Sequence, residues 1–208
     1  MIQAPRLAAL AASTLLLGGC ISLFPRNAPV DLYRFASAPA AGPVADPGPR
    51  AVSVLLNNGT FDRAAAGDRL VAVQGDRVSY IANARWATPA DTQFKAAVLQ
   101  AFDALPGPAR LLQRGDPGRA AYGLRLDVDR FEAEYLDGPA AAPTVVVAVH
   151  ARLVRLEDAS VVAVRDFETR VPARANRLSA FVPAYGAAAH AAAGDLAAWV
   201  DSCVVAVR

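Results

Sequence analysis

Cysteine, histidine and lysine are scarce in this chain of 208 residues, and their scarcity excludes several kinds of site. The two histidines, His150 and His190, have no cysteine, histidine or carboxylate at the spacing of zinc ligands, so we expect no metal site. Lys95 is the only lysine, and arginine supplies the remaining basic charge. Because the formal net charge is only +2, long-range attraction of nucleic acid is not expected, and neither is a nucleic-acid partner.

Sequence motifs of the common enzyme classes are also missing. The chain has no G-x-S-x-G motif, no phosphate-binding glycine loop and no dinucleotide fingerprint. The best candidates for acid–base or metal chemistry are four acidic residues of one predicted strand: Asp127, Asp129, Glu132 and Glu134. The first two share one face, and the last two are expected on the other face unless a β-bulge realigns them. Because Arg125 and Arg130 can neutralise these charges, we interpret the run as a solvated strand face and predict a non-enzymatic protein without a cofactor.

The first 20 residues have the pattern of an export signal. Arg6 provides a positive start, residues 7–17 form an apolar core of 11 residues, and a Leu-Gly-Gly-Cys sequence follows, ending at Cys20. A helix of that length rises only about 16 Å, roughly half the thickness of the hydrocarbon layer. The sequence therefore predicts a cleaved signal rather than a membrane span.

The Leu-Gly-Gly-Cys sequence resembles the lipobox of bacterial lipoproteins. That resemblance implies a diacylglycerol thioether on the Cys20 sulfur, cleavage directly before this residue and acylation of the new amine. The alternative is an ordinary secretory signal with a chance cysteine. We interpret residues 1–19 as the signal peptide and Cys20 as the lipid-attachment residue. Cys203 then has no disulfide partner within the chain, and we interpret it as a buried small apolar residue.

A short tether is expected to follow the lipidated cysteine. In Gram-negative lipoproteins, the absence of aspartate directly after the cysteine implies sorting to the outer membrane, and Ile21 occupies that position here. Residues 20–30 are interpreted as the tether, which could reach about 35 Å when extended. Residues 31–208 then form one globular domain, because the chain is 54% hydrophobic and 19% charged and shows no second-domain boundary.

Strands dominate the first part of that domain. Apolar alternation predicts four strands, at residues 31–35, 51–56, 69–73 and 77–81. The last two flank a turn in which Gly75 supplies a positive φ. Residues 37–50 contain four prolines, so we expect a loop there.

Two helices are predicted. Thr88 as N-cap, Pro89 at the first helical position and Asp91 in the first turn mark the start of the first helix. Its apolar stripe comprises Phe94, Val98, Ala101, Phe102 and Leu105. The stripe of the second helix recurs every three or four residues: Phe181, Tyr185, Ala188, Ala192, Leu196, Trp199 and Cys203.

Between the helices, three long strands form a predicted antiparallel meander. In the first of these strands the apolar phase moves between Val128 and Phe131, so we expect a β-bulge near Arg130. Residues 145–153 and 161–167 form the other two. The order of elements predicts an α+β fold in which two main helices pack on one face of an antiparallel sheet, a two-layer sandwich.

Several features occur in a characteristic order along the chain. They are a lipobox cysteine, a tyrosine in the first strand, a Phe-Asp-Arg triplet, a Tyr-to-Arg-Trp-to-Pro segment and a tryptophan in the last helix: Cys20, Tyr33, Phe61, Tyr80, Arg85, Trp86, Pro89 and Trp199. Together they resemble the ABC-type transport auxiliary lipoprotein family, the PqiC-like lipoproteins, over nearly the whole mature chain. The chain departs from the family pattern at Thr88, at Ala90-Asp91 and in the Pro/Ala-rich insert at 37–50.

This resemblance implies a non-catalytic component of an ABC-type system that moves phospholipid between membranes. Such lipoproteins work with an MCE-domain (mammalian cell entry) protein, a permease and an ATPase, and dock the periplasmic assembly at the outer membrane. Two alternatives stay open: a periplasmic lipid-binding carrier that encloses an apolar pocket, and a structural lipoprotein of outer-membrane assembly. The sequence also leaves the oligomeric state open, a homo-oligomer included.

Four residues of the Tyr-to-Pro segment are candidates for partner contact or for a structural motif: Tyr80, Arg85, Trp86 and Pro89. In the functional interpretation, Trp86 anchors a partner protein. In the structural interpretation, Trp86 packs over the start of the first helix while Arg85 pairs with a carboxylate.

Overall fold

The computed structural model describes residues 29–35, 51–57, 59–105 and 107–206. The predicted signal peptide, Cys20 and the segment at 37–50 lie outside the described residues. In the described part the strands are β1 (Asp31–Tyr33), β2 (Val52–Asn57), β3 (Arg69–Gln74), β4 (Arg77–Trp86), β5 (Ala109–Leu112), β6 (Tyr122–Glu134), β7 (Thr144–Arg155) and β8 (Val161–Pro172). The helices described there are α1 (Ala90–Ala104) and α2 (Leu178–Ala206).

The three longest strands form the antiparallel meander that the sequence predicts. β6 pairs with β7, and β7 pairs with β8. The register of β6 against β7 shifts between Val128 and Arg130, which confirms the predicted bulge. Because the bulge takes up Asp129 as an extra residue, Val128 and Phe131 both face the core.

The other half of the sheet contains parallel pairs, so the expectation of an antiparallel sheet is wrong. β1 runs parallel to β4, β2 to both β5 and β6, and β3 to β6. The cause is the length of β6, whose 13 residues give one edge to β7 and divide the other between β2 and β3. Helix α1 connects β4 to β5, which lies on the far side of β3, β6 and β2 in the strand order. The sheet is mixed, and the α+β class holds.

β3 and β4 form the predicted hairpin. Gly75 has a φ of 56° in its turn, as expected. Farther along the hairpin the register shifts between Arg69 and Val71, and Asn83 has a φ of 56°. β4 therefore bends around Asn83 before it pairs with β1.

Helix α1 begins at Ala90, with Pro89 at the N-cap position and no side-chain capping bond. The prediction that Thr88 caps this helix is therefore wrong. Instead, the backbone N–H of Ala90 donates to the carbonyl oxygen of Gly67 at 3.0 Å. The loop before β3 thus satisfies a helix amide that would otherwise need a side-chain cap.

Helix α2 packs against β7 and β8. Its predicted stripe is buried from Phe181 to Trp199, and Cys203 is half-buried against the same core. Both helices share one core with the inward-facing residues of the sheet. Within the described ranges, no helix combines the length and apolar character that crossing a membrane requires.

Candidate functional site

The segment that carries the family resemblance leads into α1 and is packed against the rest of the domain through Trp86 and Arg85. Trp86 is only 2% exposed, and its ring meets those of Phe35 and Tyr185 edge-on at 5.1 and 5.3 Å. The Nη1 atom of Arg85 lies 2.7 Å from a carboxylate oxygen of Asp68. These contacts favour the structural interpretation of Trp86 and Arg85. Pro89 is exposed at the N-cap position of α1.

Phe131 is the centre of an aromatic cluster to which this segment belongs. Four rings have their centroids 5.3–6.2 Å from that of Phe131: Phe35, Phe61, Phe94 and Tyr185. The Tyr185 hydroxyl donates to the carbonyl oxygen of Val71 at 2.6 Å, and its complete burial raises the pKa of Tyr185. The cluster joins β6 to both helices, and Trp86 of β4 extends it through its contacts with Phe35 and Tyr185.

The bulge in β6 brings three of the four acidic residues onto one face of the sheet, and the fourth, Asp129, is the bulged residue itself. Asp127, Glu132 and Glu134 alternate with buried residues and therefore lie on the face turned away from the helices. Asp127 accepts hydrogen bonds from Arg125 Nε at 2.9 Å and from the backbone N–H of Thr60 at 2.7 Å. The bond from Arg125, followed by those from Thr60, holds the pKa of Asp127 well below its usual range. The carboxylate is thus ionised and paired.

A charged ladder covers part of this outer face and consists of Arg130, Glu132, Glu134, Glu168 and Arg170. Arg170 Nη1 lies 2.8 Å from Glu134, and Arg130 Nη2 lies 3.0 Å from it. Arg170 first, and Arg130 after it, lower the pKa of Glu134. Val146 of β7, paired in register with Glu132 and Arg170, is fully buried on this face.

These contacts give the acidic run a structural role. The carboxylates of Asp127, Glu132 and Glu134 are paired with arginines, as the interpretation of a solvated face expects. The ladder also shields Val146 from water through the aliphatic parts of its side chains. Across the residues that the structure describes, no three His, Cys, Asp or Glu side chains are grouped as metal ligands.

An open cleft of about 390 Å³ lies between α1 and β6. Its floor is apolar and includes Phe61, Phe94, Val98, Leu126 and Val128. Its rim is polar and includes Thr60, Asp91, Thr92 and Lys95. The volume falls within the range of small-molecule sites, roughly 300–1,000 Å³. The cleft is the feature of the described chain that best fits the alternative of a lipid carrier, although it is open rather than enclosed.

The turn end of the β3–β4 hairpin presents exposed apolar side chains. Val78 is 57% exposed, Tyr80 44% and Leu136, in the loop after β6, 66%. β3 and β6 pair in parallel at Val73 and Glu134, so Leu136 lies beside the hairpin turn. We call Val78, Tyr80 and Leu136 the apolar tip. The Arg69 guanidinium lies over the Tyr80 ring, 4.6 Å from its centroid.

Of the apolar tip, the sequence pattern singles out Tyr80 alone. Val78 stands two residues before it on the same strand face, so the alternation contained a signal for Val78. Both residues are exposed because the turn end of the hairpin extends beyond the part of the sheet on which the helices pack. How far the hairpin extends cannot be predicted from the local sequence pattern. Leu136 joins them only through the long-range pairing of β3 with β6.

Comparisons with known proteins agree with this fold. A family model described as the ABC-type transport auxiliary lipoprotein component matches residues 33–197. A Xanthomonas campestris protein of the DUF330 family has a similar crystal structure, with a TM-score of 0.72 and 22% identity over 84% of this chain and 96% of that one. No curated protein matches the chain.

Two further structures are similar in fold. An uncharacterized protein gives a TM-score of 0.62 at 15% identity, covering 83% of this chain and 99% of its own. A hypothetical protein from Chlamydia trachomatis gives 0.54 at 9% identity, covering 75% of this chain and 99% of its own. The family match extends from the end of β1 into α2 and includes the Tyr-to-Pro segment. The resemblance read from the sequence is confirmed: this chain belongs to the ABC-type transport auxiliary lipoprotein family, the PqiC-like lipoproteins.

Proposed function

We propose that the chain is the lipid-anchored, non-catalytic auxiliary component of a system that moves phospholipid between membranes. In this role it docks an MCE-domain assembly at the periplasmic face of the outer membrane. The observation that carries the proposal is the match of residues 33–197 to a family of transport auxiliary lipoproteins. The Leu-Gly-Gly-Cys sequence at Cys20 supports the anchor.

The physical logic of such an adaptor rests on three parts. Acyl chains on Cys20 would fix one end in the bilayer, because each buried methylene contributes about 0.8 kcal/mol. A tether of residues 20–30 would allow the domain to move up to about 35 Å from the anchor. The aromatic cluster around Phe131 packs the sheet against the helices in one rigid core. A rigid domain suits the docking of a large assembly, because its surface does not have to change shape on binding.

Affinity purification tests this proposal directly. The full chain, tagged at its C-terminus, is purified from membranes in mild detergent, and we expect an MCE-domain protein, with its permease and ATPase, to be recovered. A Cys20→Ala chain is the control, and its recovery of these partners should be lost. Purification of the intact chain without any MCE-domain protein contradicts the docking role.

The cleft beside α1 favours a second candidate function, a periplasmic lipid-binding carrier. Phospholipid co-purifying with the full chain should then be detectable by mass spectrometry. Thr92→Trp places a bulky ring at the mouth of the cleft without touching the buried core, and it should remove that lipid. Ala96→Trp, on an exposed position of the same helix, is the matched control. Equal lipid content in both variants and the wild type rejects the carrier.

A further inference from the structure

We propose that the apolar tip inserts into the surface of the bilayer that holds the lipidated Cys20. The turn of the β3–β4 hairpin then faces the membrane, and this contact fixes the orientation of the domain. This inference rests on the lipid anchor of the proposed function. It goes beyond that function because it gives the domain an orientation. The partner surface is a phospholipid bilayer.

The direction of β1 gives the first argument. β1 pairs with β4 in parallel, from Asp31 opposite Ala84 to Tyr33 opposite Trp86. In this parallel pair, the direction from Tyr33 back to Asp31 is the direction from Trp86 back to Ala84, which leads along β4 toward the hairpin turn. The chain therefore enters the domain from the end that carries the apolar tip. Val30, directly before β1, is 46% exposed on this approach.

The length of the tether gives the second argument. Six residues separate Ala84 from Val78 along β4, a distance of at most about 20 Å. The segment from Cys20 to Asp31 reaches about 35 Å when extended. An anchor at Cys20 can thus lie level with the tip, with length to spare. The length of the tether therefore permits contact between the tip and the bilayer.

The chemistry of the tip gives the third argument. Val78 and Leu136 expose more than half of their surface, and the pairing of β3 with β6 and of β3 with β4 places them beside each other as one apolar surface. Tyr80 combines an apolar ring with a hydroxyl, and tyrosine is enriched at membrane–water interfaces for this reason.

Charge around the tip is balanced. Arg69 and Arg77 lie on the hairpin, and Asp76 in its turn and Asp137 beside Leu136 offset them. Apolar contact, rather than attraction to anionic headgroups, therefore drives insertion. A zwitterionic phosphatidylcholine bilayer suffices for the test.

The opposite end of the sheet supplies a matched control. Tyr122 at the start of β6 pairs with Arg155 at the end of β7, so the β7–β8 turn lies far from Leu136. Val161, just after that turn, is 57% exposed, the same fraction as Val78. An apolar side chain of equal exposure is thus available at each end of the molecule.

Quenching by brominated lipid measures which end meets the bilayer. The full lipidated chain is reconstituted into phosphatidylcholine vesicles with and without dibrominated acyl chains, as wild type, Tyr80→Trp and Val161→Trp. Trp86 and Trp199 give a buried background common to all three. We expect additional loss of emission in Tyr80→Trp and none in Val161→Trp. Leu136→Trp is a second reporter at the tip, on a loop where a larger ring is tolerated.

Each outcome has a defined meaning. Equal quenching at both ends, or none at Tyr80 and Leu136, overturns the orientation. A tip covered by a second copy or by a partner protein also gives no quenching there, and so counts against the proposal. Flotation of the same vesicles reports the anchor separately, because a chain without acylated Cys20 does not float. Failure of the anchor and failure of the orientation are therefore distinguishable.

Discussion

Gly59 lies where the loop after β2 crosses β6. A Cβ atom added at this position would fall 1.6 Å from the carbonyl oxygen of Leu126. Backbone hydrogen bonds hold the loop there, since the N–H of Val128 donates to Thr60 at 2.8 Å and the N–H of Asp62 donates to Val128 at 2.7 Å. The close approach thus requires glycine, and the floor of the cleft depends on it.

We expect Gly59→Ala to lower the free energy of unfolding by about 1–3 kcal/mol, since the backbone must move to admit the methyl group. Urea denaturation measures the change. Gly67→Ala is the control, because a Cβ there meets nothing within 4 Å. Equal stability of the two variants would show that the loop adjusts without cost.

The low pKa of Asp127 links stability to pH. A carboxyl whose pKa is depressed by folding contributes stability above its unfolded pKa, about 4, and loses that contribution as the pH falls below it. Asp127→Asn should therefore be less stable than wild type at neutral pH, and the difference should shrink below about pH 4.

Urea midpoints across that pH range test the linkage. Asp129→Asn, at the exposed bulge position of the same strand, is the charge-matched control against which the Asp127→Asn profile is compared. A constant difference between Asp127→Asn and wild type at all pH values contradicts the role assigned to the Arg125 and Thr60 bonds.

At the scale of elements, the start of α1 depends on Gln93 rather than on Thr88. The Gln93 side chain accepts a bond from the backbone N–H of Phe35 at 2.8 Å and donates to the carbonyl oxygen of Thr88 at 2.6 Å. It ties the end of β1 to the start of the helix. The Thr88 side chain makes no such capping bond.

Gln93→Ala should therefore destabilise the domain by about 1–2 kcal/mol, because both hydrogen bonds of its side chain are lost. Thr88→Ala should change stability by less than about 0.5 kcal/mol, the range of ordinary surface substitutions. Thermal unfolding of the two variants measures both effects. A greater loss of stability in Thr88→Ala than in Gln93→Ala would indicate that Thr88 caps the helix.

Local pattern predicts many of these elements but not their partners. Alternation and turn chemistry give the hairpin at Gly75, the meander and the bulge, because each depends on residues close together in the chain. The parallel pairing of β2 and β3 along β6 depends on contacts between distant residues, which periodicity does not record. For the same reason the sequence predicts a carboxylate partner for Arg85 without identifying Asp68, and it names Tyr80 without its neighbour Leu136.

At the scale of the whole molecule, the two cysteines are expected to differ in chemistry. Cys20 carries the predicted lipid, whereas Cys203 is half-buried against the core and burial raises the pKa of its thiol. Cys20→Ala should abolish incorporation of radiolabelled palmitate into the full chain. Cys203→Ala should leave it unchanged. Label retained in Cys20→Ala would refute the anchor and, with it, the orientation proposed for the apolar tip.

The parallel pairing of β1 with β4 also determines how the domain bears mechanical load. A force applied through the anchor acts along β1 and shears this strand against β4. The hydrogen bonds of the three residue pairs are then loaded together rather than broken one after another. The bond from the Ala87 amide to the Tyr33 carbonyl, 2.6 Å long, resists the same sliding. Hydrogen bonds loaded in this way share the tension, whereas those of a strand pulled sideways from one end break one after another. The parallel start of the domain thus distributes the force that a bilayer and a docked assembly would exert on the chain between them.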